Sequence, residues 1–144
     1  MDDAAFEAQR ARILKLIDRW HEPLGLRWWR KVEYEYWREP LPAVDGPKPS
    51  STGFVSVAQA NASWKYLDGK IKFDMQACAD LPDDELEYVF VHECCHLLIN
   101  EMRQCDRDDW LDHEERVCTQ LGQAFRWVRE FGRRDAEPAK KRRA

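Results

Sequence analysis

Apolar and charged positions in the N-terminal part of the chain follow first a helical and then an alternating spacing. In residues 4–20 the apolar side chains lie three, four or seven positions apart among charged ones, which predicts an amphipathic helix. These apolar residues are Phe6, Ile13, Ile17 and Trp20. Residues 28–38 alternate Val32, Tyr34 and Tyr36 with charged residues, which predicts a strand with one solvated face.

A β-hairpin is predicted over 64–73, "WKYLDGKIKF", after a proline-rich loop over 39–53. Asp68 and Gly69 suit a two-residue type I′ turn, because both central residues of that turn adopt positive φ. With this turn, the inward-facing pairs are Trp64 with Phe73 and Tyr66 with Ile71. The lysines of the segment then share the opposite, solvated face of the hairpin.

The central helix is predicted to begin near Pro82 and to carry mostly apolar residues. Proline fits a first helical turn, and the acidic residues that follow it suit the positive end of the helix dipole. A polar connection over 103–112 then leads to a last helix over about 113–131. This order of elements predicts an α+β domain with a small antiparallel sheet whose hairpin packs on the central helix.

Composition and charge indicate one soluble domain over 1–131 and a basic, disordered tail over 132–144. The chain has 144 residues, with 44% hydrophobic and 35% charged. The tail carries a net charge of +4, which leaves −8 for the rest. A solubilising role for the tail is therefore favoured over contact with nucleic acid. Neither a membrane span nor a signal sequence is recognisable, and reduced cysteines are expected, which together predict a cytoplasmic protein.

The segment "VHECCHLL" places His92 and His96 four residues apart on the central helix. Two imidazoles one turn apart, within about 40° of each other around the axis, can reach one metal ion. Glu93 between them could accept a proton from a water molecule at that ion. Cys94 is expected to point to the opposite, apolar side, so it is not a predicted ligand.

The alternative interpretation is that these histidines are ordinary core residues. Burying two imidazoles and a carboxylate without partners would cost several kcal/mol, and a bound metal ion removes that conflict. The last helix offers three candidates for a third ligand, which are His113, Glu114 and Glu115. Glu115 is favoured because Cys118 and Gly122 follow it at i+3 and i+7, where small side chains permit close helix packing. Glu114 and His113 stay open as alternatives.

The two segments together resemble the gluzincin class of zinc metallopeptidases. "HECCH" at 92–96 and "EERVCTQLG" at 114–122 are similar to the motifs of compact ImmA/IrrE-type peptidases, and the resemblance covers roughly 54–127. It implies a zincin-like fold with one Zn²⁺ per chain. The implied ligands are His92, His96 and Glu115, with Glu93 as the general base. An edge strand of the sheet would then hold an extended peptide substrate.

The sequence thus predicts a zinc-dependent metallopeptidase that acts on a peptide or protein substrate. SprT-like, DNA-associated proteases also resemble the central helix; they use a third histidine, for which His113 would be the candidate. A second alternative is a zinc-stabilised regulatory or interaction protein with little catalytic activity. The intact Glu93 favours the enzyme over this binding module.

Overall fold

The computed structural model describes residues 1–42, 57–100 and 110–136, and these form an α+β fold. Four helices and three strands occur in this part of the chain. In order they are α1 (Asp3–Trp20), β1 (Lys31–Trp37), β2 (Ala58–Ser63), β3 (Asp68–Asp74), α2 (Met75–Ala79), α3 (Asp83–Ile99) and α4 (Trp110–Ala136). Short 3-10 turns at Leu26–Trp28 and Trp64–Tyr66 precede β1 and β3.

The three strands form a mixed sheet in the order β1-β3-β2, and the prediction of an antiparallel sheet was wrong. β2 runs antiparallel to β3, whereas β1 runs parallel to it, with Tyr34 beside Ile71 and Tyr36 beside Phe73. Parallel neighbours need a long crossover. Residues 38–67, which include β2, supply that connection here.

A hairpin is present, but it is formed by β2 and β3, so the prediction of a hairpin over 64–73 was wrong in its first strand, its turn and its register. Asp68 and Gly69 begin β3, and the turn lies earlier, in the 3-10 segment and at Leu67, which has a φ of 51°. The observed inward pairs are Ala58 with Phe73 and Ala60 with Ile71. A Cβ at Gly69 would lie 3.0 Å from a methyl group of Leu97. The close approach of α3, and not a turn, therefore favours glycine at this position.

The core lies between the sheet and the helices. Phe90 of α3 stacks on Phe73 of β3 at a centroid distance of 6.1 Å and on Tyr34 of β1 at 6.2 Å. The apolar stripe of α1 is buried, as predicted, with Ile13 and Trp20 at 0% and 3% exposure. The opposite sheet face carries ion pairs among lysines and glutamates. The alternation predicted for β1 is thus confirmed.

α4 is longer than predicted and packs along α3. It continues to Ala136, so residues 132–136 of the predicted tail are helical, and 137–144 lie outside the described residues. Most of the predicted loop over 39–53 and of the connection over 103–112 also lies outside them. In the described part of the chain, every helix falls short of the length or hydropathy needed to cross a bilayer.

Candidate metal centre

Local sequence places both histidines on the side of α3 that faces α4. Pro82 precedes the first turn, and three acidic residues follow at the positive helix end, so the helix begins where the sequence predicts. His92 and His96 are then one turn apart, with side chains 15% and 5% exposed. α4 supplies Glu115 opposite them.

The donor atoms of His92, His96 and Glu115 converge. The two Nε2 atoms lie 3.0 Å apart, and the Glu115 carboxylate lies 3.2 Å from Nε2 of His92 and 3.1 Å from Nε2 of His96. Four ligands at zinc bond lengths around a tetrahedron are about 3.3 Å from one another. The contact with His92 is made by Oε2 and the contact with His96 by Oε1. The two nitrogens and the carboxylate group are therefore spaced as ligands of one small metal ion would be.

The centre opens towards solvent on the side of Glu115. That side chain is 60% exposed, in contrast to both imidazoles. Hydrogen bonds from His92 and His96 hold the pKa of Glu115 well below its usual range, so the carboxylate is ionised. An open side of this kind is what a catalytic metal centre requires for access of water and substrate.

Glu93 lies buried beside the donors, with 9% of its surface exposed. Burial raises the pKa of Glu93, while the charges of His96 and His92 and the backbone N–H of Ala60 act in the opposite direction. Ala60 belongs to β2, so Glu93 lies between α3 and the edge of the sheet. A carboxylate with a raised pKa is suited to accept and return a proton near neutral pH.

Glu114 turns inward from α4 and contacts the far side of the His96 ring. It is 2% exposed, and its Oε1 lies 2.8 Å from Nδ1 of His96. With Cys118 these residues form a second group of potential donors, fully buried. Burial lowers the pKa of His96, but hydrogen bonds with Cys118, Glu114 and Glu115 outweigh it and raise the pKa to about 12.

The surroundings of His96 favour positive charge at this ring. Two carboxylates face it, one at each nitrogen. A proton on Nε2 forms a hydrogen bond with the carboxylate of Glu115. A metal ion bound to Nε2 would compensate the charge of Glu115 in the same way, while Nδ1–H still faces Glu114. The residues present thus fit a divalent cation held by two imidazoles and one carboxylate.

The other two candidates for a third ligand have different positions. Glu114 contacts Nδ1 of His96 and not the Nε2 side, where His92 and Glu115 meet. His113 lies in α4, but its side chain is outside the described structure. Cys94 is fully buried, and within the described residues it belongs to neither donor group. Burial raises the pKa of its thiol well above the usual value.

Sequence reasoning did not anticipate the contact of Glu114 with His96 or that of Ala60 with Glu93. The sequence does contain a pattern that predicts the inward position of Glu114. Cys118 and Gly122 follow Glu114 at i+4 and i+8, and both are buried, which places Glu114 on the same face. The contact of Ala60 with Glu93 depends on the position of β2 against α3, which no local pattern specifies.

Comparison with family models, curated proteins and solved structures found no match for this chain. The interpretation of the centre therefore depends on its own geometry and chemistry.

Proposed function

We propose that this protein is a zinc-dependent metallopeptidase of the gluzincin type. The observation that carries the proposal is the convergence of three donors of the right kind. Nε2 of His92, Nε2 of His96 and a carboxylate oxygen of Glu115 all lie within 4.8 Å of one another. Two imidazoles and one glutamate are the protein ligands of a well-known class of catalytic zinc site.

His92, His96 and Glu115 would hold the ion, leaving a position for water on the exposed side. When bound, zinc would supply Lewis-acid chemistry, which polarises a peptide carbonyl and makes a water molecule more acidic. Binding of the ion also neutralises the negative charge concentrated around His96. One zinc ion per chain is therefore expected.

Glu93 acts as the general base in this proposal. Its carboxylate accepts a proton from the attacking water and then donates it to the nitrogen of the leaving amine. Burial keeps its pKa raised, which favours proton return as well as proton uptake. The N–H of Ala60 orients the carboxylate, since it donates a hydrogen bond to Glu93.

An extended peptide is the substrate class that the surrounding structure suits. β2 pairs with β3 on one side and is an edge strand within the described sheet. A peptide added along this edge would form backbone hydrogen bonds and pass beside Glu93 and the donor atoms. We place the enzyme in the cytoplasm, because Cys78, Cys94, Cys95 and Cys118 are free thiols.

The test is Glu93→Gln, compared with Glu85→Gln in the exposed first turn of the same helix. Hydrolysis of an unstructured peptide library should fall by about 10²- to 10⁴-fold in Glu93→Gln, because the proton acceptor is lost. Zinc content, measured by elemental analysis, should stay near one equivalent. Glu85→Gln, purified identically, should retain full activity and so exclude a contaminating protease.

Three results would contradict the proposal. Glu93→Gln that cleaves as fast as the wild type would remove the general base from the mechanism. A wild type that binds zinc tightly but cleaves no peptide in the library would favour the zinc-stabilised regulatory protein instead. A wild type that takes up no zinc would refute the metal centre itself.

A further inference from the structure

Glu114 is a buried carboxylate that the proposed reaction does not use. It is 2% exposed, and the partner of its Oε1 at 2.8 Å is Nδ1 of His96. An ionised carboxylate in such a position is costly unless a positive or strongly donating group compensates it. One compensating group is the His96 ring, which would hold the metal on its other nitrogen.

This contact determines which nitrogen of His96 carries the proton. A neutral imidazole has one N–H and one lone pair. The carboxylate of Glu114 accepts a hydrogen bond from Nδ1, so Nδ1 keeps its hydrogen, and Nε2 is the nitrogen that gives up its own hydrogen when a metal ion binds. Nε2 is the atom that faces His92 and Glu115.

The two histidines differ in this respect. Within the described residues, Nδ1 of His92 is buried without a hydrogen-bond partner, so no contact there sets its tautomer. The ring of His96 instead has contacts at both nitrogens: Nδ1 contacts Glu114, and Nε2 faces His92 and Glu115. His96 is therefore the ligand whose orientation the fold specifies most strictly.

We propose that Glu114 is a positioning residue of the metal centre, which orients His96 for metal binding and increases its basicity through the Nδ1 contact. The proposal rests on the proposed metal centre, but not on the peptidase reaction. A metal ion on Nε2 makes Nδ1–H a stronger donor, so metal binding and the contact with Glu114 reinforce each other. Carboxylate partners of this kind typically change metal affinity by about 10- to 100-fold.

The experiment compares the zinc affinity of Glu114→Gln and Glu114→Met with that of the wild type. The glutamine keeps an acceptor for Nδ1–H and loses the charge, whereas methionine keeps the length and loses both. We expect affinity to fall by about 10-fold and about 100-fold, respectively. Affinity is measured on metal-free protein by competition with a chromophoric chelator, so the result does not depend on activity.

A control separates positioning from a general effect on folding. Glu87→Gln changes another partly buried carboxylate of α3 that is paired with Arg19, and it should leave zinc affinity unchanged. The free energy of unfolding of each metal-free variant is measured in urea. If Glu114→Met lowers only this free energy while zinc binds as in the wild type, Glu114 is merely structural and the proposal is wrong.

Three further outcomes bear on the same experiment. Two zinc equivalents in the wild type, one of them lost in Cys118→Ser, would make Glu114 a ligand of a second ion and overturn its positioning role. A wild type without zinc would refute the proposed function together with this inference. Unchanged affinity in both Glu114 variants, with one zinc per chain, would refute the inference alone.

Discussion

Adjacent acidic residues have different positions at the N-terminal end of α4. Glu114 is buried and contacts Nδ1 of His96, while Glu115 is largely exposed and contacts the Nε2 atoms. One residue of helix rotates a side chain by about 100°, which is enough to separate the two sides of one imidazole. The small residues Cys118 and Gly122 lie below Glu114. Glu115 therefore approaches the histidines from the edge of the α3–α4 interface. Glu115 was favoured from the sequence because Cys118 and Gly122 were expected to share its face of α4, and that reason was wrong.

Glu115→Ala should weaken zinc binding more strongly than either Glu114 variant, because it removes a donor atom and not a partner of a donor. Zinc affinity should fall by more than about 100-fold, which is the upper end of the range for substitutions of residues that contact a ligand without binding the metal. Chelator competition measures it, with Glu130→Gln on the exposed side of α4 as the control. An affinity within a few-fold of the wild type would exclude Glu115 as a ligand.

At the scale of elements, α3 lies between the sheet and α4, and glycines mark its two close contacts. Gly69 of β3 faces Leu97 and Trp29, where an added Cβ would be 3.0 Å and 3.3 Å from their side chains. Gly122 of α4 faces Tyr88 and the backbone of His92, where an added Cβ would lie at ordinary contact distances of 3.6 Å and 3.7 Å. Only at Gly69 would an added methyl group force its neighbours to shift.

Gly69→Ala and Gly122→Ala should therefore change stability in opposite directions. We expect the first to lower the free energy of unfolding by about 1 kcal/mol or more, because Leu97 is buried and cannot move freely. The second should raise it by up to about 1 kcal/mol through helix propensity. Urea unfolding of metal-free protein measures both.

Gly132→Ala supplies the matched control for the helix, since no atom of the described residues lies within 4 Å of a Cβ at that position. It reports helix propensity without new packing. If Gly122→Ala destabilises the protein while Gly132→Ala does not, the α3–α4 interface is tighter than the structure indicates. A stabilising Gly69→Ala would likewise contradict the close contact of β3 with α3.

At the scale of the whole molecule, α1 is joined to α3 and α4 by one polar cluster. Oε1 of Glu87 in α3 accepts hydrogen bonds from Nε1 of Trp20 at 2.7 Å and from Arg19 at 3.0 Å. Arg129 of α4 donates to the carbonyl of Arg19 and stacks on the Trp20 ring. The cluster connects three helices through side chains far apart in sequence.

Glu87→Gln should reduce stability at neutral pH by about 1 to 2 kcal/mol, because charge-assisted hydrogen bonds become neutral ones. Burial alone raises the pKa of Glu87, but the hydrogen bonds from Arg19 and Trp20 outweigh it and lower the pKa below its usual range. A lowered folded-state pKa stabilises the fold above the unfolded-state value. That contribution is lost as the pH falls through the folded-state value.

Urea unfolding of metal-free wild type and Glu87→Gln at pH 7 and near pH 3 measures this effect. The wild type should have a higher free energy of unfolding than Glu87→Gln at pH 7, and this difference should be smaller near pH 3. Metal-free protein is needed, since loss of zinc in acid would otherwise add its own pH dependence. A difference that stays constant with pH would show that Glu87 acts through shape and not through charge.

Local sequence alone was sufficient for features that have local causes. The stripe of α1, the alternation of β1 and the start of α3 follow from side-chain spacing and helix-end chemistry within a few residues. The same holds for the proximity of His92 and His96, because i and i+4 lie one turn apart in any helix. The sequence also placed a third candidate donor on the last helix, although it left three residues open.

Tertiary structure alone decided the features that depend on contacts between distant segments. The parallel pairing of β1 with β3 depends on the path of a long connection, which side-chain patterns do not encode. Gly69 appeared to belong to a turn because the approach of Leu97 cannot be seen in a local window. In the same way, only the packing of α4 against α3 determines that Glu114 faces Nδ1 of His96 while Glu115 faces Nε2, since both residues share one helical turn and one chemistry.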